Sequence, residues 1–269
     1  MNTKELFYQK NGVIIVILFF MKNIISTLLI FSCFLVKADT ISVVTYNVNY
    51  HFINKDIVNV LDSINADVIC LQETNAEWEK IIRIGLISKY PFIQFKHRGI
   101  SGGFATLSKY PIIKNKYIKN NVGWFSAWSI IIKKDQDSIQ ILNTHLKPPL
   151  TRKGLIGWNA YFKASEVHIK ELASFSNELT PNLPTIILGD FNENDNGKTM
   201  KWLKIKGFND ALSQFDKRSK TWRFVLLRGR YDHLVYNNKL NCINAKVYKL
   251  GKSDHFPVLG VFEIKANVN

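Results

Sequence analysis

Short apolar runs separated by amphipathic stretches set the rhythm of this chain. Ile41-Ser42-Val43-Val44-Thr45-Tyr46-Asn47 is a β-branched strand ending in a carboxamide. Asn54–Asn65 puts Ile57, Val60, Leu61 and Ile64 on one face of a helix. Val68–Leu71 reads as a buried strand ending in Gln72-Glu73, and residues 75–88 as a helix that Pro91 bounds. Ser101-Gly102-Gly103 is a loop before the strand Phe104–Ser108. Ile112–Tyr117, Trp124–Ile132 and Ser138–Thr144 are further strands, with His145 closing the last. Pro148 and Pro149 make Lys147–Gly154 a loop, and Trp158–Leu179 is a long helix. Pro184 opens the continuous apolar run Thr185–Leu188, a buried strand; Gly189 then reads as a sharp turn that lets backbone approach a ligand. Asp190 and Asn192 alternate beyond it and so face one side. Gly197–Lys206 is a short helix, and Thr221–Phe224, Tyr231–Tyr236, Ala245–Leu250 and Phe256–Ile264 are strands. Strands dominate, with a few helices between them, which predicts an α/β or α+β sandwich of two sheets with outer helices.

Residues 1–38 break this pattern. Gly12–Phe20 and Ile24–Val36 are apolar runs separated by Met21-Lys22-Asn23. Read from Met21, the stretch is a signal peptide with Val36-Lys37-Ala38 as its cleavage site. Read from Met1, the runs join into a membrane anchor that Lys22 interrupts. The expectation is a leader over 1–38, a domain over 39–269, and a secreted or periplasmic protein, with anchoring as the alternative.

The 269 residues carry a formal net charge of +15. The leader holds four lysines and one glutamate, so most of the excess lies in the domain, a surface that attracts nucleic acid, anionic headgroups or acidic saccharides. Of the cysteines, Cys33 lies in the leader, Cys70 reads as a core thiol and Cys242 has no metal-ligand spacing; a Cys70–Cys242 bridge is open in an exported chain.

Polar residues recur at strand ends: Asn47, Glu73, His145, Asp190, Asn192, Asp232, Asp254 and His255. Each alone has a plain structural explanation, such as a turn for Asn47, a helix cap for Glu73 or a core imidazole for His145. Their repetition at one strand end after another points to a single site.

The segments Thr45-Tyr46-Asn47-Val48, Leu71-Gln72-Glu73, Thr144-His145-Leu146, Gly189-Asp190-Phe191-Asn192, Tyr231-Asp232-His233 and Ser253-Asp254-His255-Phe256-Pro257-Val258 resemble, in order, the motifs of the endonuclease/exonuclease/phosphatase superfamily. The resemblance spans residues 41–264. It implies a deoxyribonuclease I-like, four-layered α/β sandwich of two mixed sheets flanked by helices, and metal-dependent cleavage of phosphate esters. Glu73 is then an apt ligand for Mg²⁺, or Mn²⁺ in its place, with Asp254 on the same or a second ion. By the resemblance, Asn47 helps place metal and phosphate. Asp190 orients or deprotonates water and Asn192 fixes the phosphate. Asp232 supports a charged His255, and His255 or His145 donates to the phosphate or leaving group. Lys147 and Arg152, in a basic loop beside His145, are candidates for substrate phosphate. Histidine rather than tyrosine at 145 argues against a dedicated abasic-site enzyme of the exonuclease III type. The expected function is an exported, monomeric, Mg²⁺-dependent nuclease. Alternatives are a sphingomyelin or phospholipid phosphodiesterase, for which Trp124–Trp128 could touch a membrane, an inositol phosphate phosphatase, and a catalytically silent polyanion-binding module.

Overall fold

The computed structural model describes residues 40–150 and 158–265. The leader, including Cys33, and the loop residue Arg152 lie outside the described residues.

Two six-stranded sheets form the centre. The first runs β13 (Leu240–Val247), β14 (Val258–Ile264), β1 (Thr40–Asn47), β2 (Val68–Gln72), β4 (Phe104–Ser108), β3 (Phe92–Lys96). The second runs β5 (Ile112–Ile118), β6 (Ala127–Lys134), β7 (Asp137–His145), β8 (Thr185–Asp190), β12 (Asp232–Tyr236), β9 (Asn209–Asp210). β10 (Trp222–Phe224) and β11 (Leu227–Gly229) make a separate hairpin. Both sheets are mixed: β1 and β2 are parallel, as are β7 and β8, and their other neighbours are antiparallel.

The alternation of the strands supplies two apolar faces per sheet. Ile41, Val43, Phe104, Ile130, Ile141 and Leu188 meet between the sheets. On the outer face of the first sheet, Val44, Ile69 and Leu71 pack with helices α1 (Asp56–Ile64) and α2 (Ala76–Leu86). On that of the second, Leu142 and Ile187 pack with α3 (Trp158–Ser176) and α4 (Lys198–Ile205). A short α5 (Ala211–Phe215) adds Ala211 and Leu212 to the central core. The result is the four-layered α/β sandwich expected from the sequence. No described helix is long and apolar enough to cross a membrane.

Several elements differ from expectation. Gly189 does not turn the chain: β8 continues through it to Asp190, with Gly189 opposite Thr144 on one side and His233 on the other. Its φ is +134°, and a Cβ there would stand 1.8 Å from the Thr144 carbonyl oxygen. The glycine is needed for close approach of the neighbouring strand. Trp124 and Phe125 are loop, and β6 begins only at Ala127. β13 starts at Leu240 rather than Ala245 and ends at Val247. Cys70 and Cys242 are both free and buried, so they form no bridge.

Candidate active site

The parallel pairs β1–β2 and β7–β8 end at one edge of the sandwich, and the antiparallel neighbours β14 and β12 begin there. That geometry gathers the sequence candidates. The first sheet brings Asn47 and Glu73, with Asp254 and His255 leading into β14. The second brings His145, Asp190 and Asp232, with Asn192 just past β8. Beneath them a buried polar contact ties the sheets together: Gln72 Nε2 donates to Asn143 Oδ1 at 2.7 Å, and Asn143 Nδ2 to the Leu71 carbonyl at 3.1 Å.

Asp190 stands at the centre, about 2% exposed. Its Oδ1 accepts the Asn192 N–H, and its Oδ2 accepts Asn47 Nδ2 at 3.1 Å. The same Oδ2 lies 3.5 Å from His255 Nε2 and 3.7 Å from His145 Nε2. Asn47 Nδ2 also donates to Glu73 Oε1 at 3.0 Å, so one amide links the two carboxylates. His255 Nδ1 donates to Asp232 at 2.8 Å, and Asp232 is fully buried. The Asp232 backbone N–H is in turn held by Thr221 Oγ1.

The charges follow from this packing. Burial alone would lower the His255 pKa, but the Asp232 and Asp190 carboxylates prevail and raise it to about 10, so its ring is an imidazolium at neutral pH. His145 moves the other way: burial pushes it down to about 4 against the pull of Asp190. Its ring stacks on Phe125, centroids 4.0 Å apart, and Nδ1 has no hydrogen-bond partner of proper geometry, although the Ser101 backbone lies near enough to favour the charged form. Of the two histidines, His255 is the one holding a proton to give. Burial raises Asp190, reinforced by Asp232 and opposed by His255. Burial also raises Glu73, opposed by the Asn47 amide. For Asp254 burial is outweighed by His255 and by hydrogen bonds from Asn49 and Trp222, and the carboxyl sits below its usual range.

Some candidates sit differently from their expected roles. Glu73 does not cap α2; Asn75 does, accepting from Glu77 N and Trp78 N. Glu73 instead adopts φ +60°, and Asn49 and Asn192 are also left-handed. Left-handed backbone in a long side chain costs on the order of 1–3 kcal/mol and persists where surrounding contacts enforce it. Asn47 turns its N–H₂ to the carboxylates while its Oδ1 accepts the Asn49 N–H. Asn192 Nδ2 donates to the Leu146 carbonyl. Asp254 is engaged by Asn49 Nδ2 at 2.8 Å and Trp222 Nε1 at 2.9 Å. Asp232 and His233, which alone could have been a surface turn, are buried in β12. Lys147 is at the rim, its ammonium 5.1 Å from the centre of the Trp124 ring.

Several residues that support the site carry no such role in the sequence; Thr221-Trp222-Arg223 reads there as a candidate for base stacking and phosphate contact, with a packed indole as the plain alternative for Trp222. Asn49 and Trp222 fix Asp254, Thr221 fixes β12, Phe125 covers His145, and Ser253 Oγ donates to the Asn47 carbonyl at 2.8 Å. Behind Lys147, His168 bridges the Lys147 carbonyl at 2.7 Å and the buried Glu193 at 2.9 Å. Trp222 and Ser253 lie inside or beside the motifs; Phe125 and His168 carried no signal in their spacing.

The donor set fits a hard divalent cation. Among the described residues, the ion-pair partners of Glu73, Asp190 and Asp232 are histidines, so the carboxylates outnumber the fixed cations around them. Asp190, Asp232 and His255 have donor atoms all within 4.8 Å of one another. That trio is already joined by the Asp232–His255 hydrogen bond. Glu73, partly buried and held by the Asn47 amide and the Tyr50 N–H with His145 Nε2 at 3.8 Å, is a carboxylate available to an oxygen-loving ion, with Asp190 as its neighbour.

Solved structures share the two-sheet α/β sandwich. An endonuclease/exonuclease/phosphatase from Beutenbergia cavernae is similar with TM-score 0.69 at 14% identity, covering 84% of this chain and 72% of that one. Truncated Caenorhabditis elegans TDP2 gives 0.64 at 19%, covering 83% and 98%. D. rerio TDP2 complexed with a single-strand DNA product gives 0.66 at 16%, covering 84% and 99%. No curated protein matches the chain. The Endonuclease/Exonuclease/phosphatase family model matches residues 44–255, and the chain belongs to that family.

Proposed function

We propose that the chain is an exported, Mg²⁺-dependent phosphodiesterase whose substrate is nucleic acid. The observation carrying the chemistry is the placement of Asp190 Oδ2 3.5 Å from His255 Nε2, with Asp232 on the other nitrogen of the ring at 2.8 Å. Asp190 takes a proton from water, and the oxygen attacks phosphorus. The bond from phosphorus to the leaving oxygen breaks, and that oxygen takes the proton from His255 Nε2. Asp232 stays ionised and keeps the ring oriented. Asn47 holds Asp190 and Glu73 in register. A divalent ion at Glu73 would neutralise phosphate charge.

Nucleic acid is favoured by the net charge, by the Lys147–Trp124 pair at the rim and by the DNA-product complex of the D. rerio relative. The test is purified protein with plasmid DNA, single-stranded DNA, RNA, sphingomyelin and inositol phosphates, each with Mg²⁺ or EDTA. Metal-dependent cleavage of a nucleic acid is expected. Release of phosphocholine or inorganic phosphate with every nucleic acid intact would overturn the substrate assignment.

A further inference from the structure

The hairpin beside the site carries the surface feature most at odds with a simple soluble enzyme. Phe224, Val225, Leu226 and Leu227 follow one another at its tip and are 60%, 83%, 91% and 60% exposed. Phe224 pairs with Leu227, so Val225-Leu226 is the two-residue turn. Such turns favour glycine or asparagine at positive φ; Val225 occupies φ +51°. The chain thus keeps an aliphatic apex despite backbone strain. Consecutive exposed apolar residues of this kind mark an interaction site.

Below the apex the character reverses. Arg218, Lys220, Arg223, Arg228 and Lys249 line a cavity of about 320 Å³ with Trp222 and Phe256, and its lining holds no carboxylate. The Arg223 guanidinium lies 4.9 Å from the centre of the Phe256 ring. The hairpin root is fixed to the active-site edge: Arg223 N donates to the Asp254 carbonyl at 2.9 Å, and Trp222 bridges to His255.

We propose that this hairpin docks the domain on an anionic phospholipid bilayer. The aliphatic apex enters the boundary between headgroups and acyl chains, and the arginines and lysines below it meet lipid phosphates. Nucleic acid would satisfy the basic cavity and can stack on Phe224, but it leaves the aliphatic side chains of Val225, Leu226 and Leu227 without apolar cover. The inference goes beyond the nuclease reading and does not depend on it. It sets the bilayer against the edge that bears His255 and Asp254.

The test uses the full chain, with residues 1–38 common to every variant. Co-sedimentation is measured with vesicles of phosphatidylglycerol plus phosphatidylcholine and of phosphatidylcholine alone. Preference for the anionic vesicles, weakened by salt, is expected, and Leu226→Glu should reduce partition about tenfold or more. To read the hairpin itself, a polarity-sensitive dye is attached in Leu226→Cys combined with Cys33→Ser; Cys70 and Cys242 are buried. A blue shift on anionic vesicles supports docking. No shift, or vesicle binding unaltered by Leu226→Glu while oligonucleotide affinity falls, overturns it. Cleavage of a short soluble substrate should be unchanged in Leu226→Glu, so failure of docking and failure of the catalytic reading are distinguishable.

Discussion

His255 is charged because Asp232 lies against it, and Asp232→Asn isolates that dependence. The folded pKa stands at about 10 against an ordinary 6.5. At about 1.4 kcal/mol per pKa unit, the net preference for the charged ring, after burial has opposed the carboxylates, is roughly 5 kcal/mol. A folded pKa above the unfolded value means the stabilisation is fully present below pH 6.5 and is lost as pH rises through 10. The wild-type protein should therefore lose stability across that window, and Asp232→Asn should be less stable at pH 6 and much flatter above it. In activity, kcat should fall at least about 10²-fold, because the proton donor is then mostly neutral and unsupported. The falling alkaline limb should move to lower pH. Adding His255→Ala to Asp232→Asn should cost little beyond the worse single change, since residues acting as a unit are non-additive. The assays are kcat against pH on a soluble phosphodiester, urea melts at pH 6, 8 and 10, and NMR titration of the histidine Cε1–H resonances. A wild-type His255 resonance titrating near 6.5, or an Asp232→Asn profile superimposable on wild type, would refute the reasoning.

Other expectations follow from the same geometry. Asp190→Asn should remove about 10²–10⁴-fold of kcat while leaving substrate affinity nearly intact, read by steady-state kinetics alongside circular dichroism. EDTA should abolish turnover, and Glu73→Gln should weaken Mg²⁺ binding measured calorimetrically; unchanged metal affinity counts against Glu73 as a ligand. Gly189→Ala should destabilise by roughly 3 kcal/mol or more, since its Cβ meets the Thr144 carbonyl, and thermal melts report it. Intact-mass measurement of protein from its native host should begin at Asp39; retention of residues 1–38 with the membrane fraction would mean an anchor.

Much of the site was legible because strand ends are where buried apolar runs stop, and polar residues there have a common edge to share. Ile57, Val60, Leu61 and Ile64 were likewise readable as the buried face of α1. Misreadings arose where a tertiary partner decided the outcome. Trp124 and Phe125 look like strand by composition, yet Phe125 leaves the sheet to stack on His145. Gly189 looks like a turn until Thr144 is seen against it. β3 carries only one buried residue, Ile93, so its alternation is too weak to read. The β10–β11 turn lacks the glycine or asparagine that announces a hairpin. Glu73 and Asn75 compete for one cap in sequence, and the Asn75 side chain, accepting from Glu77 N and Trp78 N, shows which takes it.

The seam between the sheets has a consequence for when this chain can act. Asn47, Glu73, Asp254 and His255 come with one sheet, and His145, Asp190, Asn192 and Asp232 with the other, while Gln72 and Asn143 pin them in register. Neither half holds a complete acid–base set. The full set therefore exists only where the two sheets are docked, and a chain whose sheets are apart has no such site.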